Sequence, residues 1–189
     1  MILIDNYDSF TYNIVEYLRE LGKEPLVFKN NEISIEELKK LNFSHLIISP
    51  GPGNPQDPEW FGICDKAIET FYKTKKILGV CLGHQLIASH FGAVVNKDKN
   101  PFHGKVSKIR ITTPSKLFDG IENNFDATRY HSLKVENLPG CLIPLAYTQG
   151  NILMALKHRD YDIYGVQFHP EAILTQHGHR LFKNFINLK

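Results

Sequence analysis

Four short apolar runs alternate with longer amphipathic stretches between Ile2 and Val80, and this alternation restricts the chain more than any other feature. Ile2–Ile4 reads as a buried strand, polar Asp5–Ser9 follows, and a helical pattern runs on through Leu21 and stops at Gly22. Leu26–Phe28 is the next strand, Ser34 with Glu37 makes a capping box for a helix to about Leu41, and His45–Ser49 is the third strand. Pro50-Gly51-Pro52-Gly53-Asn54-Pro55 admits neither helix nor central strand. It leads into a predicted helix over about Glu59–Tyr72, after which Ile77–Val80 is a strand again. Strands separated by helices pair in parallel and are covered by those helices. From Ala93 to Val166 the pattern turns β-rich (Val106–Ile111, Phe125–Tyr130, Ile152–Leu156, Ile163–Val166), and a last helix covers about Gly178–Leu188. The expected fold is α/β: a mostly parallel central sheet flanked by helices, with an additional antiparallel β region in the C-terminal half.

Bulk properties narrow the function classes. At 189 residues, 42% hydrophobic and 22% charged, the chain suits one well-cored domain spanning 1–189. A net charge of +2 with scattered Lys and Arg gives no nucleic-acid surface and no polybasic membrane patch. Apolar runs such as Leu46–Ile48 fall far below the roughly 20 residues a membrane span needs. Three separated cysteines, Cys64, Cys81 and Cys141, make neither a disulfide framework nor a metal knuckle, and no signal peptide precedes the first apolar run. A reducing cytoplasm is the expected location.

The most informative stretch is Gly79-Val80-Cys81-Leu82-Gly83-His84-Gln85, where a strand runs into Gly-x-Cys-x-Gly and then into a helical pattern over Leu86–Phe91. A nucleophile on a sharp strand-to-helix turn needs small neighbours, because the turn is strained and the substrate approaches closely. The following helix aims its N-terminal N–H groups at the sulfur, favouring thiolate and leaving the N–H of Leu82 open to an oxyanion. Cys64 and Cys141 have no such setting and read as structural.

A thiolate nucleophile needs a base that reprotonates the leaving amine. His169 in Gln167-Phe168-His169-Pro170-Glu171 is the candidate, just beyond the apolar strand ending at Val166. Pro170 excludes helix, and in an extended segment residues two apart share a side, so Glu171 can fix the imidazole of His169. The expected catalytic set is Cys81, His169 and Glu171. His177 and His179 lack a third ligand at metal spacing, and no metal or other cofactor is expected.

These residues resemble the class I glutamine amidotransferases, whose glutaminase domains share a Gly-x-Cys-x-Gly elbow and a downstream His-Pro-Glu. The likeness covers essentially the whole chain. Asp5-Asn6-Tyr7-Asp8-Ser9-Phe10-Thr11, Ser49-Pro50-Gly51-Pro52-Gly53, His103-Gly104-Lys105 and Arg129-Tyr130-His131-Ser132-Leu133 look like the chorismate-pathway branch of that family. The resemblance implies that Gly53 and Leu82 donate backbone N–H groups to an oxyanion. It further implies that Gly51, Pro52, Gly53, Gln85, Ser132 and Leu133 hold L-glutamine, and that a chorismate-binding synthase subunit receives the ammonia. The Asn6–Phe10 loop and the Pro50–Pro55 turn are candidate contact surfaces. A stand-alone γ-glutamyl-type cysteine hydrolase is the alternative, and a non-catalytic binding relative a more distant one. In that branch of the family the product, anthranilate or aminodeoxychorismate, is set by the chorismate-binding partner.

Overall fold

The computed structural model describes residues 1–98 and 101–188. The first half alternates as the apolar runs require: β1 (Ile2–Asp5), α1 (Thr11–Glu20), β2 (Leu26–Lys29), α2 (Ile35–Lys40), β3 (His45–Ile48), α3 (Cys64–Phe71), β4 (Lys76–Val80) and α4 (Leu82–His90). The second half holds β5 (Val94–Lys97), β6 (Lys105–Ile111), β7 (Phe125–Arg129), β8 (Leu133–Glu136), β9 (Leu142–Thr148), β10 (Leu153–His158) and β11 (Ile163–Val166), and ends in α5 (Gly178–Ile186). Ser34 caps α2 through the reciprocal bonds of a capping box with Glu37.

Nine strands form one sheet in the order β2-β1-β3-β4-β11-β10-β9-β6-β7, and β5 pairs with β8 apart from it. From β2 to β11 all neighbours are parallel. From β11 onward they are antiparallel. The antiparallel region thus continues the parallel sheet, with β11 as the seam. Both faces of the inner strands β1, β3, β4 and β11 are covered, so they read as apolar runs rather than alternating ones, while β2 at the edge stays partly exposed. Ile2, Ile4, Leu46 and Ile48 point to one core with residues of α2, α3 and α4. Leu3, Ile47, Leu78 and Val80 point to the other with residues of α1 and α5. No helix among the described residues is long and apolar enough to cross a membrane.

Two features depart from the expected pattern. The helix expected over about Glu59–Tyr72 is a 3-10 turn at Pro58–Trp60 followed by α3 from Cys64. Gly62 breaks it: its φ is +49°, and a Cβ there would lie 2.2 Å from the Asn30 carbonyl oxygen. The next N–H, of Ile63, bonds that same oxygen at 2.9 Å, which ties the chain to the end of β2. The structure also contains β5, β8 and β9, which the pattern does not single out. Pro144 interrupts the strand signal of β9, and the ladder to β10 absorbs it by register shifts around Ala155.

Candidate active site

Because β1, β3, β4 and β11 are parallel neighbours, the segments leaving their carboxyl ends lie along one edge of the sheet, where open α/β sheets bind ligands. Those segments are Asn6–Phe10, the Pro-Gly turn, the cysteine elbow and the segment carrying His169. The register pairs Ile48 with Gly79 and Val166 with Val80, so the Pro-Gly turn and the histidine segment start beside the elbow.

Cys81 sits at φ +52°, ψ −99°, a conformation that side chains rarely adopt and that the surroundings must enforce. Its N–H bonds the Val166 carbonyl at 2.8 Å, extending the sheet by one residue. The first bond of α4 runs from Gln85 N to Cys81 O at 3.1 Å. The N–H groups of Leu82, Gly83 and His84 therefore form the open first turn of the helix. Glycines make this possible: a Cβ on Gly79 would lie 2.3 Å from the Gly83 carbonyl group, and one on Gly83 would lie 2.4 Å from the Ile48 carbonyl oxygen.

His169 meets Glu171 at 2.6 Å between Nδ1 and Oε1, both side chains buried. They meet through a turn and not the extended segment expected: Ala172 N bonds His169 O at 3.2 Å, folding Pro170 and Glu171 back. The Thr175 hydroxyl donates to the same His169 carbonyl at 2.6 Å, and His169 N donates to Thr128 O at 3.0 Å. The rings of Tyr130 and Phe10 stand steeply inclined to the imidazole, at 5.0 and 6.0 Å between centroids. Its Nε2 is buried without a hydrogen bond of standard geometry among the described residues. Burial disfavours the charged ring, yet the charge and hydrogen bonding of Cys81 and Glu171 outweigh it and hold the His169 pKa well above 6.5. His169 is thus hydrogen-bonded to Glu171 and lies within the electrostatic influence of Cys81.

Gln85 points its side-chain nitrogen at the Leu133 carbonyl (3.5 Å) and at the Gln167 oxygen (3.1 Å). The sequence motif contains Gln167 but assigns it no role; its Nε2 donates to Cys81 Sγ at 3.6 Å. The available signal was its spacing, two residues from His169. Leu133 is held from the other side. Arg129 Nε donates to His131 Nε2 at 2.9 Å, so the hydrogen of His131 is on Nδ1 and goes to the Leu133 carbonyl at 2.7 Å. Burial first, then the charge of Arg129, lowers the His131 pKa to about 4, which keeps the ring neutral.

The Pro-Gly turn meets the elbow at Gly51, where a Cβ would lie 2.6 Å from Asn6 Cβ and 2.9 Å from Leu82 Cδ2. Asn6 supports this turn from beneath: its backbone N–H donates to Ser49 Oγ and its side-chain amide to Ser49 O. The Cys64 thiol donates to Asn6 Oδ1 at 3.2 Å, and burial pushes its pKa far up, as a structural cysteine requires. Gly53 adopts φ +97° against the Trp60 ring. Pro52, Gly53 and Ser132 are exposed, and no hydrogen bond ties the Ser132 side chain to the triad among the described residues.

A family model described as glutamine amidotransferase class-I matches residues 2–188. The chain is 46% identical over 189 residues to anthranilate synthase component 2 of Saccharolobus solfataricus, covering 98% of this chain and 97% of that one. It is 47% identical over 188 residues to aminodeoxychorismate/anthranilate synthase component 2 of Bacillus subtilis, covering 98% and 95%. Among solved structures, a Thermoplasma acidophilum protein assigned as part of a GMP synthase superposes with a TM-score of 0.88 at 32% identity, covering 98% and 90%.

Proposed function

The chain belongs to the class I glutamine amidotransferases, and on that premise we propose that it is the glutaminase component of a chorismate-using synthase, acting as one domain over 1–189. The observation that carries this is the set formed by Cys81 in its elbow and by His169 hydrogen-bonded to Glu171, at the sheet edge where the glycine-rich turn also ends.

The Cys81 thiolate attacks the side-chain amide carbon of L-glutamine. The N–H groups of Leu82 and Gly53 stabilise the oxyanion of the tetrahedral intermediate. His169, its Nδ1–H held by Glu171, gives its Nε2 proton to the nitrogen, and the C–N bond breaks to release ammonia. The γ-glutamyl thioester left on Cys81 is attacked by a water that passes a proton to His169, and glutamate departs with the thiolate restored. Gly51, Pro52, Gly53, Gln85, Ser132 and Leu133 surround the glutamine.

Ammonia acts as a nucleophile only while unprotonated, so a coupled acceptor is required at the mouth of the site. The relatives named as synthase components 2 support a partner subunit that binds chorismate. Tyr7, Tyr12, Trp60, Ile173 and Leu174 are large apolar residues left exposed. They lie on segments that follow the carboxyl ends of β1, β3 and β11, around the site, and suit burial by that partner. A free thiol at the nucleophile position fits a reducing cytoplasm.

The test is to combine the chain with each chorismate-binding subunit from the same genome, supply chorismate and glutamine, and identify the aminated product. Anthranilate, aminodeoxychorismate or both is the expected result. Glutaminase activity that is the same with and without every such subunit, and yields no aminated product, would reject it.

A further inference from the structure

We propose that Gln167 is a catalytic residue of this site: its side-chain amide donates to the Cys81 sulfur, and its orientation is fixed through Gln85 by the Leu133 carbonyl on the glutamine-binding wall. The inference deepens the glutaminase reading and rests on Cys81 being the nucleophile.

Two groups here can only accept hydrogen bonds, and they set the direction of everything between them. The Leu133 carbonyl cannot donate, so the Gln85 side chain must present its nitrogen there, as it does at 3.5 Å. That nitrogen also reaches the Gln167 Oε1 at 3.1 Å, so the Gln167 oxygen faces Gln85 and its nitrogen faces Cys81 Sγ at 3.6 Å. Turning Gln167 over would set two amide nitrogens against each other and an oxygen against the sulfur. A thiolate also only accepts, so both ends of the two-amide chain call for the same direction. Gln167 is fully buried, and its backbone N–H bonds Met154 O at 2.8 Å, so the side chain cannot leave for solvent. Leu133 is itself pinned by His131, which Arg129 holds in one tautomer. An arginine stacked 3.4 Å from the Phe102 centroid thus begins a chain of contacts that ends on the reacting sulfur.

In physical terms, a neutral buried donor stabilises the attacking anion and aims one of its lone pairs, leaving another for the substrate carbon. His169 handles the proton, and Gln167 holds the sulfur. Because the same chain touches Leu133, seating of glutamine against that wall and orientation of the sulfur become coupled.

The test uses Gln167→Met, which keeps length without a donor, and the isosteric Gln167→Glu, which sets a carboxylate beside the sulfur. Cys81 alkylation by iodoacetamide is timed on the full-length chain at fixed pH, and glutamine kinetics are measured with the synthase subunit bound. Loss of one hydrogen bond to a charged group lowers the thiolate fraction, so with the fixed pH set below the midpoint of the wild-type reaction, alkylation and kcat are expected to slow about 3- to 20-fold in Gln167→Met, with KM for glutamine little changed. Gln167→Glu is expected to be slower still. A folded Gln167→Met protein alkylated at the wild-type rate would overturn the proposal. So would a loss confined to KM, which would make Gln167 a support for Gln85 alone. If Met does not fold in this position, wild-type alkylation of Gln167→Glu is the overturning result. Failure of the wild-type Cys81 to react with a glutamine-analogue electrophile is a separate outcome, and rejects the glutaminase reading instead.

Discussion

Replacing Cys81 by serine is expected to lower glutamine-dependent amination by at least about 10³-fold, the scale seen when a triad nucleophile is lost, while amination driven by added ammonium salt is unchanged. Serine fills nearly the same volume and can keep the φ +52° turn, so the elbow, α4 and the docking surface survive. What disappears is the sulfur nucleophile itself. A hydroxyl in that position keeps its proton, and Nε2 of His169 must remove it during the attack, a step that a thiolate does not need. The check is a pair of steady-state assays on the assembled synthase, one with glutamine and one with ammonium. Equal loss in both would mean that the substitution damages assembly rather than chemistry.

The second large effect is expected from one methyl group. In Gly83→Ala the new Cβ would stand 2.4 Å from the Ile48 carbonyl oxygen and 3.0 Å from Ile48 Cβ. Backbone in a central strand does not yield easily, so α4 must move off β3. Overpacking of this kind destabilises by about 1–3 kcal/mol or more. The movement also separates the first turn of α4 from the Pro-Gly turn, the two proposed sources of oxyanion donors. Displacement on the order of 1 Å at a reacting centre lowers turnover by roughly 10²-fold. Gly140→Ala is the control, because its Cβ would meet nothing within 4 Å, and substitutions of that kind fall within about 0.5 kcal/mol of neutral. Denaturant melts and glutamine kinetics on both variants read the two effects. A Gly83→Ala protein with wild-type stability and turnover would show that the elbow is looser than the packing indicates.

How much of the fold is legible in the chain varies by segment, for physical reasons. The apolar runs of the first half locate β1, β3 and β4 because both faces of the inner parallel sheet are buried, and β2, a partly exposed edge strand, is located by the short run Leu26–Phe28 between polar segments. Ser34 and Glu37 announce α2 because a capping box is a local arrangement, complete within four residues. The break at Gly62 is different in kind: only the position of Asn30, more than thirty residues earlier, makes that glycine necessary. In β5, just one of four residues, Val95, is buried, so its pattern resembles a solvated loop. In β9, Pro144 reads as a stop although a register shift accommodates it.

For the site, the cysteine and the histidine–carboxylate pair stand out in the sequence because each lies in a compact motif, Gly-x-Cys-x-Gly and His-Pro-Glu. His169 and Glu171 do meet, but through a turn closed by Ala172, which alternation along an extended segment does not describe. Gln167 stands in plain view two residues before His169, and its role becomes visible only when β11 is laid beside β4 and brings it to Cys81. The grip of Arg129 and His131 on Leu133 depends in the same way on side chains folding across their own loop. The rival of a stand-alone cysteine hydrolase shares the elbow, so the triad alone does not exclude it. The similarity to synthase components along nearly the full chain favours the amidotransferase reading.

The decisive experiment is to treat the chain, bound to its synthase partner, with an electrophilic glutamine analogue such as 6-diazo-5-oxo-L-norleucine and to map the adduct by peptide mass spectrometry. One adduct per chain is expected, on Cys81, formed in step with loss of glutamine-dependent activity and prevented by excess glutamine. Full glutamine-dependent activity with Cys81 completely modified, or an adduct on Cys64 or Cys141 in its place, would refute the assignment of Cys81 as the nucleophile.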